Sequence, residues 1–251
     1  MKLAKFWGRD SIEVDDVQVT ARGWSDDSMD AAKAKAREVA QRVAQRVLSG
    51  GPKERYPYGD RPLPEPLIKQ FPGGSAIVTR NLYGALILNT DEMMFVDIDA
   101  ENGRAPDVDV EAVAAQHWLS GRFYETFAGY RVILTDRKFV ASSPEAEAML
   151  KAFGADKMYT HLCKMQQSFR ARLTPKPWRC EWHKPPVAYP YESPFEEQEF
   201  QQWVRRYDAQ AAGYSTWKLA STFGALVLPE FGELIAYHDQ LAKAESSLPL
   251  A

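Results

Sequence analysis

The run Met93-Met94-Phe95-Val96-Asp97-Ile98-Asp99 is apolar until it ends in two acids. On a strand, positions i and i+2 point to the same face, so the two carboxylates sit side by side. An apolar strand that ends this way builds a hard-cation site for Mg2+ or Mn2+. Buried without a cation or a basic partner, the two charges repel and cost several kcal/mol. The plainer reading is a pair of exposed acids at a turn. Further along stands Thr126-Phe127-Ala128-Gly129-Tyr130-Arg131. If its turn lies at the same sheet end as Asp97 and Asp99, Arg131 becomes a permanently charged fork beside the metal, suited to a phosphate. The plainer reading here is that Arg131 pairs with an aspartate.

A second group is basic. From Lys164 to Lys184 there are six Lys or Arg and one acid, Glu181. On a strand Arg170 and Arg172 share a face. With Lys176 and Arg179 they can neutralise several phosphates, and Trp178 can stack on a base. Pairing of these arginines with structural carboxylates is the alternative. A third group, His161-x-Cys163 and Cys180-x-x-His183, offers zinc-ligand types at poor spacing, since helix positions 161 and 163 diverge. His238-Asp239 reads as surface, because adjacent helix residues do not face each other. No Ser-His-Asp arrangement, P-loop or G-x-G-x-x-G is present.

These residues need elements to hold them. Residues 12–24 alternate apolar and polar, as a half-buried strand does. Ser25 or Ser28 then caps a helix running to about Leu48, whose stripe is Ala32, Ala36, Val39, Val43 and Val47. Residues 52–74 are rich in proline and glycine and form a connector, with a short helix near Glu65–Gln70. Ser75–Thr79, Tyr83–Asn89 and Met93–Ile98 read as an antiparallel meander. A helix over Val110–Leu119 follows, then a hairpin of Arg122–Phe127 and Tyr130–Thr135. Placed as a crossover, that helix makes strand 122–127 parallel to the acid strand. Helices are expected at Ser143–Phe153 and Asp156–Gln167, a strand at Phe169–Leu173, and helices broken near Gly213 and Pro229 from Phe195 to Ala244. The fold class is α+β with a mainly antiparallel sheet, a β-β-β-α-β-β core like that of an RRM-type palm. Its parts are an N-terminal strand–helix unit (1–51), the core (75–175) and a helical C-terminal region (195–251), packed as one main domain.

Phe95-Val96-Asp97-Ile98-Asp99 resembles the first motif, h-h-D-h-D, of the archaeo-eukaryotic primase superfamily. Thr126 to Arg131 resembles its second, S-x-x-G-x-H. The resemblance covers roughly residues 75–175 and rests on short motifs. It implies that Asp97 and Asp99 are catalytic and hold Mg2+ or Mn2+, and that Thr126, Gly129 and Arg131 contact the triphosphate of an incoming nucleotide. Two departures stand out: Arg131 occupies the place of the family's His, and Thr126 that of its usual Ser. Asp136, at the far end of its strand, does not supply the family's third carboxylate. Nucleotidyl transfer or related phosphoryl transfer, on a nucleoside triphosphate or single-stranded nucleic acid, is what the resemblance implies.

Bulk properties narrow the field without naming a substrate. The chain has 251 residues, a net charge of -3 and two cysteines. An acidic balance confines any nucleic-acid site to a local basic patch. No apolar run is long enough for a membrane span, and the N-terminus lacks the apolar core of a signal peptide. Few cysteines fit a reducing cytoplasm. A non-catalytic nucleic-acid-binding protein on the same fold is the main alternative. A haloacid-dehalogenase-like phosphotransferase is a second, from the likeness of Asp97-Ile98-Asp99 and the strand ending Leu134-Thr135 to that family's first two motifs.

Overall fold

The computed structural model describes residues 3–52, 62–100 and 107–251. They form two compact units, Lys2–Pro64 and Glu65–Ala251. In the first, β1 (Phe6–Val14) and β2 (Val17–Ser25) pair antiparallel, and α1 (Met29–Leu48) packs on them. The single strand expected over 12–24 is thus a two-stranded hairpin whose turn falls at Asp15 and Asp16. Ser28 caps α1 by accepting the Ala31 N–H at 3.1 Å. The buried stripe is Ala32, Ala36, Ala40 and Ala44, not the valines. The reason lies in the hairpin. Gly8 and Gly23 are cross-strand partners, and a Cβ on Gly23 would lie 2.2 Å from the Ala36 backbone nitrogen. Helix backbone meets strand backbone there, which leaves room only for small side chains.

The second unit holds two four-stranded sheets. One contains β3 (Leu67–Gln70), β4 (Ala76–Arg80) and β5 (Leu86–Thr90). The other begins with β6 (Phe95–Asp99), which α2 (Val110–Gln116) connects to the hairpin β7 (Gly121–Thr126) and β8 (Gly129–Leu134). Then come α3 (Pro144–Ala152) and α4 (Lys157–Gln166), capped by Ser143 and Asp156, and β9 (Phe169–Arg172). Last are α5 (Pro194–Ala211), β10 (Trp217–Phe223) and α6 (Pro229–Ala242). The sheet orders are β3-β4-β5-β9 and β10-β7-β8-β6, with every pairing antiparallel.

The fold is α+β and mainly antiparallel, and the β-β-β-α-β-β order is present as β4 to β8. Three local expectations need correction. Glu65–Gln70 contributes a strand, β3, not a helix. The proposed meander splits after its second strand. The Thr90 hydroxyl accepts the Met93 N–H at 3.0 Å and donates to the Met93 carbonyl at 2.7 Å, closing a turn that sends β6 to the other sheet. And the C-terminal region is not all helical, because β10 joins the sheet edge beside β7. One hydrophobic core spans both sheets. It includes Val78, Leu88 and Ala171 from one sheet, Val96, Ile98 and Val132 from the other, and Ala114, Leu150 and Leu234 from the helices. Among the described residues no helix is long and apolar enough to cross a membrane.

Candidate functional site

The register of β6 and β8 builds the site. Asp97 lies opposite Arg131 and Asp99 opposite Gly129, so both acids and Arg131 share one face. Because β8 is antiparallel to both β6 and β7, β7 runs parallel to β6 with β8 between. The Phe127–Ala128 turn therefore sits at the Asp99 end of the sheet, and the Ala100 N–H extends the ladder to the Ala128 carbonyl at 2.8 Å. Gly129 is required at this crossing: a Cβ there would stand 2.1 Å from the Ile98 carbonyl oxygen.

Arg131 donates to Asp97 Oδ2 at 2.6 Å, with both side chains largely buried. Its guanidinium lies 4.8 Å from the Trp217 ring, and its enclosed Nε has no hydrogen-bond partner. Asp99 is more exposed. Partial burial and the neighbouring Asp97 push its pKa above the ordinary carboxylate value, against the pull of Arg131 and Lys176.

Three further cations come from β9 and the turn that follows it. Burial, and then Arg131 beside it, lower the Arg172 guanidinium to about 10. Its Nε is enclosed and makes no hydrogen bond. Lys176 is pushed down by burial and by Arg172 and Arg179, while Asp99 and Asp97 pull it back. Arg179 lies 4.4 Å from the ring of Phe127, an exposed residue of the β7–β8 turn, and burial lowers its pKa too. Arg131, Arg172, Lys176 and Arg179 thus all interact electrostatically with Asp97, and all but Arg172 with Asp99 as well, while Asp156 is a third carboxylate that acts on Asp99. The Arg172 and Arg179 guanidiniums repel each other, and such a pair favours an anion with several oxygens.

The support beneath is nonlocal. The β6 edge meets helix α4: the Asp156 N–H donates to the Asp97 carbonyl at 2.8 Å, and the buried Tyr159 hydroxyl donates to the Phe95 carbonyl at 2.9 Å. The same hydroxyl receives the Arg170 N–H at 3.4 Å, joining β6 to β9 across the two sheets. Trp217 Nε1 donates to the Arg172 carbonyl at 2.7 Å. Behind Trp217 is His238, which is fully buried, not on the surface. Its Nδ1 meets Asp239 Oδ1 at 2.8 Å, and Asp239 also receives hydrogen bonds from Arg122 and Tyr124. Although the two residues are adjacent within α6, the His238 ring and the Asp239 carboxylate do meet. Burial lowers the His238 pKa against the opposing pull of Asp239.

The other expected residues divide. Thr126 ends β7, paired with both Gly129 and Trp217. Arg170 does not join the cluster: its Nη2 donates to both oxygens of Glu65, at 2.7 and 2.8 Å. Cys163 and Cys180 are both free and buried, and burial pushes the Cys163 thiol up to about 12, which disfavours the thiolate that zinc needs. Among the described residues no group of three or more His, Cys, Asp or Glu gathers to hold a metal ion. Trp217, Tyr159 and Phe127 are the participants to which sequence reasoning gave no role, and His238 is the one it placed on the surface. The alternation Trp217-Lys218-Leu219 was a usable strand signal, hidden between two helices.

No protein-family model, curated protein or solved structure matches this chain.

Proposed function

We propose that the protein binds a nucleoside triphosphate with a divalent cation at Asp97 and Asp99, and performs nucleotidyl or related phosphoryl transfer in the manner of a primase-like palm. One observation carries this reading. Register and topology bring a same-face acid pair and the cations Arg131, Arg172, Lys176 and Arg179 to one end of a sheet. Phosphoryl transfer is catalysed mainly by positioning and by balancing charge on phosphate oxygens, and acids for metal beside bases for phosphate are the parts it uses.

The acid pair fits Mg2+ or Mn2+. Such ions need only one or two protein carboxylates when substrate phosphates and water complete the shell. Arg131 engages only Oδ2 of Asp97, and the Asp99 pKa is raised first by burial and then by the neighbouring Asp97 and Asp156, whose repulsion a cation would relieve. When bound, the ion would neutralise charge on the transferred phosphoryl group. Arg172 and Lys176 would hold the phosphates, and Arg131 would orient Asp97. A cytoplasmic setting, where nucleotides are abundant, belongs to this reading.

Calorimetric titration of Mn2+ into wild type and Asp97→Asn/Asp99→Asn, with and without a nucleoside triphosphate, tests it. Metal binding that tightens with triphosphate and vanishes in the double variant is expected. No metal or triphosphate binding by the wild type would falsify it.

A second reading is a binding protein that retains the fold without the chemistry. The Asp97–Arg131 ion pair supports it, because an acid already neutralised by arginine has less need of a metal. Nucleic-acid binding that ignores EDTA and survives Asp97→Asn would favour this alternative.

A further inference from the structure

The start of β7 borders a cleft that the Asp97–Asp99 site does not use. Its volume is about 710 Å3, and α6 with the turn after it supplies most of the wall. Gly232, Ile235, Ala236 and Asp239 follow one another at helical spacing along one face of α6. The first three make an apolar floor. Gly232 is the informative residue. Glycine inside a helix is less favourable than alanine. Close packing can require it, as it does at Gly23. At Gly232 a Cβ would meet nothing within 4 Å, and the backbone there is not left-handed. What this glycine provides is open floor.

Arg122 stands at the polar end of this floor. Its Nε donates to the Tyr124 hydroxyl at 2.8 Å, and its Nη2 donates to Asp239 Oδ2 at 2.5 Å. Tyr124 and His238 hold Asp239 from behind, so the guanidinium is fixed in place. Among the described residues its Nη1 makes no hydrogen bond. One further carboxylate stands by. Glu245 Oε1 is 3.9 Å from Nη2, beyond hydrogen-bond range, on a side chain that is 76% exposed. The outer edge of the fork is therefore open, and a loosely placed carboxylate already leans toward it. Lys243, the other cation of the lining, is engaged elsewhere. Its ammonium donates to the Ala211 and Ala212 carbonyls at the end of α5.

We propose that this cleft binds a small aliphatic carboxylate. Its carboxylate accepts from the open edge of Arg122, in the place that Glu245 now approaches, and its hydrocarbon chain lies over Gly232, Ile235 and Ala236. Three arguments select this ligand. A fixed, planar fork with a free edge offers parallel donors, which match the two oxygens of a carboxylate. The charges of the lining balance, Arg122 and Lys243 against Asp239 and Glu245, so there is no surplus of positive charge for a triphosphate or a nucleic-acid strand. The floor beyond the fork is apolar, so the body of the ligand is hydrocarbon. The cleft shares no residue with the Asp97–Asp99 site, and the inference does not depend on the reading of that site.

The test is calorimetric titration of the full chain with sodium hexanoate, and with butanoate and 1-hexanol as companions. Hexanoate should bind. Butanoate, shorter by two methylenes, should bind about tenfold more weakly. 1-Hexanol, which lacks the carboxylate, should also lose about tenfold or more. Gly232→Leu fills the floor and should abolish hexanoate binding. Its melting midpoint should not fall, because leucine is the better helix former. Glu245→Gln removes the rival for the Arg122 edge and should tighten hexanoate binding about threefold. That side chain is exposed, so the fold is not at risk. A wild type that takes neither hexanoate nor butanoate overturns the proposal. So does Gly232→Leu that binds hexanoate as tightly as wild type, or 1-hexanol that binds as well as hexanoate. Affinity unchanged in Glu245→Gln overturns the placement of the carboxylate at Arg122, and the proposal with it.

Discussion

Arg170 and Arg172 lie two residues apart on β9 and face the same side, yet they live in opposite electrostatic worlds. Arg170 is held by both oxygens of Glu65, and Glu65 in turn accepts the Thr79 hydroxyl at 2.5 Å. Arg172 is as enclosed but has other cations for neighbours, and its Nε is left without a partner. A chain that can pair one buried arginine and leaves the next one bare is storing charge at the second position. On the proposed reading, stability is concentrated at Glu65–Arg170 and readiness for an anion at Arg172.

The largest expected effect breaks the paired side. Glu65→Ala strands a buried guanidinium, which costs about 3 kcal/mol. For a unit of this size the midpoint of thermal unfolding should fall by on the order of 10 °C. Mn2+ and triphosphate binding, measured below the new midpoint, should persist. Asp97→Asn is next, because it weakens the buried pair with Arg131, and about 2 kcal/mol of stability should go. Unlike Glu65→Ala it should also abolish Mn2+ binding, as calorimetry would show. Equal losses of both stability and ligand at the two positions would erase the contrast between them.

Arg172→Met sharpens it. Replacing a crowded, unpaired cation by an apolar side chain of similar volume is neutral or stabilising. The melting midpoint should hold or rise slightly. Triphosphate affinity should fall about tenfold or more, since charge-assisted bonds to phosphate are lost. A large drop in stability would mean that Arg172 is structural after all, like Arg170.

The contrast also marks how far the sequence could be read. Asp97, Asp99 and Arg131 were legible together because strand periodicity and a hairpin turn relate them locally, and the observed register repeats that logic. The fate of Arg170 was not, because its partner Glu65 is 105 residues away in the chain and was expected on a helix. Trp217 and His238, which back Arg131 and Arg172, belong to a strand and a helix that arrive from the C-terminal region. Hydrophobicity alone also misled in α1. It favours the larger valines, whereas close contact with Gly8 and Gly23 requires alanine.

The smallest effect is a matter of sign, and it separates Asp99 from Asp97. The folded protein holds the Asp99 proton more tightly than the unfolded chain does, because burial and Asp97 disfavour its charge. At pH below the ordinary carboxylate value both states are protonated and Asp99 contributes nothing. As pH rises through its raised folded pKa the unfolded chain releases the proton first, so the folded state loses ground. Asp99→Asn should therefore raise the melting midpoint at neutral pH, and the gain should vanish in acid. Saturating Mn2+ should reverse the order: bound metal stabilises wild type and cannot stabilise the variant to the same degree. Melting curves of both proteins across pH, with and without Mn2+, read this directly. A variant less stable than wild type at neutral pH without metal would mean that Asp99, like Asp97, is held by a structural partner.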